Sequence, residues 1–180
     1  MREIEIKAKV INIGALEDAL SKRSIKLSQK LVQHDVVYGQ PGNKDNEAGA
    51  NWLRIRTEND KKVYFTLKRS VVGHLDSIEH EILVDNADEL ENIIKLLGYE
   101  LYSDLTKIRR KAKYKDIELC LDSVPSLGDF IEAEKIVEHD SDHGKVVAQL
   151  WELLSSLGIK KADEVHEGYD VLERKKRGLS

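Results

Sequence analysis

From Arg2 to Ile11 charged and aliphatic side chains alternate, which is the period of a β-strand. Glu3, Glu5 and Lys7 take one face, and Ile4, Ile6 and Ala8 take the other. Asn12 fits an N-cap, after which Leu16, Ala19 and Leu20 recur at helical spacing. A second strand is predicted over 31–39, ending before Pro41-Gly42, and the Gly, Asn and Asp of 40–50 predict a mobile loop. Trp52–Glu58 and Lys61–Ser70 read as two strands around a tight turn at Asn59-Asp60. Ser77–Val84 alternates again.

Asn86 starts a second predicted helix, with Leu90, Ile93, Ile94 and Leu97 on one side and Gly98 as its stop. Three further strands fit 99–113, 115–122 and 129–138. A third helix fits 142–157, and a short polar one is expected around 164–176. Each half runs strand, helix, then several strands, which suggests an internal pseudo-repeat. The pattern predicts an α+β chain with about eight short strands in hairpin order, forming an antiparallel sheet able to close into a barrel with helices outside.

Length changes this picture little: 180 residues suit one domain, expected over 1–180. Charge changes it more. Charged residues make up 34% of the chain, above the roughly 25% of ordinary globular proteins, so either surface ion pairs or a polar cavity must absorb them. A net charge of -4 argues against a nonspecific nucleic-acid binder. The single Cys120 excludes an internal disulfide, fits a reducing compartment and reads as a buried, inert thiol. The start Met-Arg-Glu-Ile-Glu carries no signal-peptide pattern, and no run of 18 apolar residues predicts a membrane span; a cytoplasmic location is expected.

The strand faces sort charge by sign. Arg54 and Arg56 share a face, as do Glu79 and Glu81; Lys68 follows Tyr64 and Thr66 on one side. Lys107, Arg109, Lys111 and Lys113 line up, then Glu118 and Asp122, then Glu132 and Glu134. One such strand is an ordinary wet face. The set together fits a barrel interior that binds a triphosphate: Arg and Lys for phosphate oxygens, and paired carboxylates for a hard cation. Mixing both signs lets such a cavity survive folding.

These residues resemble a known family. Glu3-Ile4-Glu5-Ile6-Lys7, Leu53-Arg54-Ile55-Arg56, Phe65-Thr66-Leu67-Lys68, Glu79-His80-Glu81, Lys107-Ile108-Arg109, Leu121-Asp122 and Leu127-Gly128-Asp129-Phe130-Ile131-Glu132-Ala133-Glu134 resemble, in order, the motifs of the CYTH superfamily. These triphosphate tunnel metalloenzymes include class IV adenylyl cyclases, thiamine triphosphatases and inorganic triphosphatases. The resemblance runs from residue 3 to about 170 and implies an eight-stranded antiparallel β-barrel tunnel, often in a homodimer. It implies Mg²⁺ or Mn²⁺ at Glu3, Glu5, Glu132 and Glu134, with Asp122 and Glu81 joining through water. Lys7, Arg54, Arg56, Lys68 and Arg109 would hold phosphate oxygens, with Arg110 as a neighbouring alternative to Arg109. Glu5 would position the attacking water. Lys160 or Lys161 and Tyr169 match a cation and a tyrosine of the family's closing helix.

Two reactions follow from the resemblance: hydrolysis of a terminal phosphate, and attack of a ribose 3′-hydroxyl on the α-phosphorus of ATP. Bacterial class IV cyclases tend to carry a His-Phe pair before the first motif; here Met1 and Arg2 precede Glu3. The expectation is therefore hydrolysis of inorganic triphosphate or a small organic triphosphate such as ATP or thiamine triphosphate. Cyclisation of ATP is the alternative, and a sensor that binds polyphosphate or nucleotides without turnover is the second. Other signals point elsewhere. No P-loop is present. His139 and His143 read as part of a helix cap rather than ligands, and Trp52 and Trp151 read as packing groups.

Overall fold

The computed structural model describes residues 1–44, 47–71 and 75–178; positions 45–46 of the expected mobile loop lie outside the described residues. The strands are β1 Arg2–Lys9, β2 Leu31–Gly39, β3 Asn51–Glu58, β4 Lys62–Ser70, β5 Asp76–Val84, β6 Glu100–Tyr114, β7 Ile117–Val124, β8 Gly128–Val137 and the two-residue β9 Glu164–Val165. The helices are α1 Ile13–Lys22, α2 Ala87–Leu96, α3 His143–Ser156 and α4 Tyr169–Lys176. This is the α+β, antiparallel architecture expected from the sequence, with eight long strands. The order strand, helix, three strands occurs twice, as β1-α1-β2-β3-β4 and β5-α2-β6-β7-β8. By its own contacts the chain forms two compact units, residues 1–30 with 108–166 and residues 31–107 with 167–180.

In the first unit, β7 pairs with the second half of β6 and with β8, β8 with β1, and β1 with β9, all antiparallel. Asn12 caps α1 by accepting from Ala15 N at 3.0 Å, and Asp142 caps α3 by accepting from Lys145 N at 3.1 Å. The His139–His143 run is thus a cap, as its composition suggested. Both helices lay apolar stripes on one side of the strands. Leu16 and Leu20 of α1, with Val146, Leu150, Leu153 and Leu154 of α3, pack on Ile4, Ile6, Ala8, Leu119, Leu121, Ile131 and Ala133. Because strand side chains alternate, burying Ile4, Ile6 and Ala8 turns Glu3, Glu5 and Lys7 to the other side.

In the second unit, β3 pairs antiparallel with β2 and β4, and β4 with β5. Tyr38, Leu53, Ile55 and Ile94 form its core. The helix stripe predicted on α2 is corrected here. Only Ile94 is fully buried and Leu90 packs partly, whereas Ile93 is 46% and Leu97 67% exposed. Positions 90 and 94 stand one above the other toward the sheet, 93 lies on the flank of that line, and Leu97 is the C-cap beyond the last helical residue. The carboxy-terminal helix is also shorter than expected, 169–176. Residues 161–163 make a 3₁₀ turn and 164–165 pair with Lys7 and Ala8 of β1, a backbone interaction with no hydrophobic period to reveal it. No helix among the described residues is long and apolar enough to cross a membrane.

Candidate active site

On the first unit's polar face, antiparallel register puts like residues in rows. Glu118 of β7 faces Glu134 of β8, which faces Glu5 of β1. One row on, Cys120 faces Glu132, which faces Lys7. Oxygens of Glu5, Glu132 and Glu134 all lie within 4.8 Å of one another. Three carboxylates so close repel, and two cations offset that. Lys7 Nζ lies 3.1 Å from Glu132 Oε1 and 3.5 Å from Glu5 Oε1. Arg109 donates Nε to Asp122 Oδ1 at 2.7 Å, pairs with Glu132, and approaches Glu134 Oε1 at 3.6 Å.

Burial alone would weaken the charge on Arg109, but Glu132 and Asp122 outweigh it and raise its pKa well above the ordinary value. Glu134 keeps a raised pKa: burial dominates, Glu132 and Glu118 add like charge, and Arg109 opposes them incompletely. A divalent cation would supply the positive charge this trio still lacks, and three carboxylates are the donor set that Mg²⁺ and Mn²⁺ favour. Glu118, Cys120 and Glu134 form a second close group, but burial pushes the Cys120 thiol up, which keeps it neutral and a poor ligand. Glu3 is half-buried two residues before Glu5, outside the tight trio, and Asp122 is committed to Arg109.

Strand alternation separates the neighbouring arginines. Arg110 turns to the opposite side, where Nε donates to Ser28 O at 3.1 Å and Nη1 pairs with Glu17 of α1. Lys161 of the first unit pairs with Glu164 Oε1 at 2.7 Å and lies 4.2 Å over the Trp151 ring.

The second unit's polar face carries the remaining cations. Arg56 binds Asp35 with two hydrogen bonds, Nε to Oδ1 and Nη2 to Oδ2, both 2.6 Å. Arg54 Nη2 donates to Thr66 Oγ1 at 3.1 Å and to Glu81 Oε2 at 3.4 Å, and Thr66 Oγ1 donates to the same Glu81 oxygen at 2.9 Å. Lys68 Nζ lies 2.9 Å from Glu79 Oε1. Burial would raise Glu79, yet the charges of Lys68 and Arg54 bring it down to about 2. Glu81, placed with the metal residues by resemblance, here faces Arg54 and Thr66. Lys107 Nζ sits 4.8 Å over the ring of the buried Tyr169.

Sequence reasoning missed Asp35 and Thr66, whose roles depend on cross-strand register: Asp35 faces Arg56, and Thr66 lies between Arg54 and Glu81. The alternation Gln33, Asp35, Val37 was the available signal.

Comparison with known proteins agrees with these motifs. The CYTH domain family model matches residues 1–169. A Methanocaldococcus jannaschii protein named as a candidate adenylate cyclase is 30% identical, the match covering 94% of this chain and 97% of that one. A conserved Pyrococcus furiosus protein of known structure superposes with a TM-score of 0.80 at 24% identity, covering 94% of this chain and 99% of that one. A Hippeastrum protein, titled a candidate adenylyl cyclase that reveals a dominant triphosphatase activity, gives a TM-score of 0.62 at 16% identity, covering 99% and 96%. Those structural likenesses show the fold, the α+β antiparallel-barrel class expected from the sequence. With the family match running from β1 into α4, the chain belongs to the CYTH family.

Proposed function

We propose that the protein is a metal-dependent hydrolase that removes the terminal phosphate of inorganic triphosphate or a small organic triphosphate. The carrying observation is the trio Glu5, Glu132 and Glu134, with oxygens within 4.8 Å, edged by Lys7 and Arg109. Glu5, Glu132 and Glu134, with Glu3 and Asp122 alongside, would hold Mg²⁺ or Mn²⁺, which polarises phosphoryl oxygens and lowers the pKa of bound water. Glu5 orients the attacking water by accepting its O–H. Lys7, Arg109, Arg54, Arg56 and Lys68 donate to phosphate oxygens, and the carboxylates beside each cation hold it in place. Glu81 keeps Arg54 extended until substrate competes for it, and remains a candidate for contact with the metal through water.

The Hippeastrum protein's triphosphatase activity supports hydrolysis. The name of the M. jannaschii relative supports the alternative, conversion of ATP to cyclic AMP and pyrophosphate. A pure anion sensor would not need the carboxylate trio. We further read the enzyme as a cytoplasmic homodimer. The single buried thiol suits a reducing compartment, and exposed Ile93 and Leu96 of α2, with Leu97 just after it, give a second copy an apolar face to cover. Sedimentation at several concentrations checks the dimer.

The deciding assay incubates the protein with inorganic triphosphate, ATP and thiamine triphosphate, each with Mg²⁺ or Mn²⁺. Phosphate release without cyclic AMP is expected. Robust cyclic AMP from ATP overturns hydrolysis in favour of cyclisation; chelator-sensitive binding with no product under either metal favours the sensor.

A further inference from the structure

Glu118, Cys120 and Glu134 each bring a donor atom within 4.8 Å of the others, and Glu134 belongs both to this group and to the carboxylate trio. Two overlapping groups that share one carboxylate are what a pair of neighbouring cations requires. The second group already has a cation of its own. Lys111 Nζ lies 2.6 Å from Glu118 Oε1, the same oxygen that accepts from Cys120 Sγ at 3.8 Å.

Antiparallel register sets Lys111 of β6 directly opposite Cys120 of β7, so its side chain leans one pair along the ladder to reach Glu118. The Lys111 backbone is held from the other side by Ser28, whose N donates to Lys111 O at 2.7 Å and whose Oγ accepts from Lys111 N at 2.9 Å. Burial alone would weaken the ammonium, but its hydrogen bond to Glu118 and the negative charge around it, Glu134 included, raise its pKa. Lys111 therefore stays charged, and its backbone is fixed on both sides.

We propose that the Lys111 ammonium is a built-in substitute for a second metal ion, so that the centre takes a single Mg²⁺ or Mn²⁺ at Glu5, Glu132 and Glu134. Its one charge balances Glu118 and leaves Glu134 to the trio, whereas a divalent ion beside Glu118 would compete for Glu134. Lys111 is then a positioning residue that sets how many ions bind. This rests on the metal reading of the trio above and extends it.

The test counts bound Mn²⁺ by electron paramagnetic resonance of the ion left free, a readout that needs no turnover. Lys113 is exposed and directly across from Glu118, within reach to replace Lys111, so both are removed together. Wild type should bind one Mn²⁺ per chain, and so should the controls Lys111→Arg and Lys113→Met. Lys111→Met combined with Lys113→Met should bind two, and adding Glu118→Gln should return the count to one. A double variant that stays at one overturns the proposal. So does a wild type or a control that already binds two, or a second ion that survives Glu118→Gln. A wild type that binds none is a failure of the trio as the metal site, not of Lys111. The double variant is then judged by itself: a gain of one ion supports the substitution, and no gain overturns it.

Discussion

Arg56 and Asp35 grip each other across neighbouring strands through two 2.6 Å hydrogen bonds, both side chains being buried. The pair is a fixed part of the fold that also aims a guanidinium along the second unit's polar face. Burial would raise the Asp35 carboxyl, but the charge and hydrogen bonds of Arg56, with Arg54 and Lys107 behind, hold it far below the usual range.

Asp35→Asn should therefore cost about 3 kcal/mol near neutral pH, because it leaves Arg56 buried without its counter-charge. The sign with pH follows from the depressed carboxyl. Its contribution is complete above the unfolded-state value of about 3.9 and is lost as pH falls toward the folded-state value. Urea midpoints for the wild type and the variant should differ fully at pH 7 and converge below about pH 4. A gap that stays constant down to pH 3 would show that Asp35 is not held as a carboxylate by Arg56.

Glu5→Gln keeps the size of the side chain and removes the charge proposed to orient water. Turnover should drop at least about a hundredfold, the scale of a lost general-base or positioning group. Triphosphate binding should change much less. Single-turnover phosphate release beside a binding titration separates the two, and full activity in the variant would remove Glu5 from the mechanism.

Adjacent arginines offer a paired control. Arg109→Ala strips the counter-charge from Asp122, Glu132 and Glu134 and should abolish activity along with several kcal/mol of stability. Arg110→Ala loses, among the described residues, its contacts to Ser28 and Glu17. It should leave kcat and KM near wild type and lower stability by about 1 kcal/mol or less. Reversed outcomes would put the wrong arginine on the phosphate.

Metal binding has a readout that needs no turnover. Mn²⁺ at about a hundred times its Kd should stabilise the folded state by about 2.7 kcal/mol, which raises Tm by several degrees in a protein of this size. In Glu132→Gln combined with Glu134→Gln the increment should vanish. Persistence of the full shift in that double variant would place the cation elsewhere.

Much of this arrangement was legible because strand alternation is a local property. Glu3, Glu5 and Lys7 had to oppose Ile4, Ile6 and Ala8, and α1 and α3 do cover the aliphatic side. Parity also puts Arg109 and Arg110 on opposite sides of β6, Arg109 among Asp122 and Glu132 and Arg110 against Ser28 and Glu17. What alternation does not contain is register. That Asp35 meets Arg56, or that Glu134 stands between Glu118 and Glu5, depends on how strands distant in sequence align. The apolar run of α2 shows another limit: helical spacing marks a stripe but not where the helix stops, and Leu97 falls beyond the last helical residue as its C-cap.

The way the two compact units share the chain has a consequence for synthesis on the ribosome. Each unit is built from separated stretches, the first closing only with residues 108–166 and the second only with 167–180. Tyr169 and Val171, buried in α4, belong to that last stretch. Neither unit can finish folding while most of the chain is still being translated. The apolar side of β3 meets Tyr38 and Ile94 within its own stretch, but that of β1 must wait in the exit region for β7, β8 and α3, so the nascent chain's need for a holding chaperone should last until α3 is made.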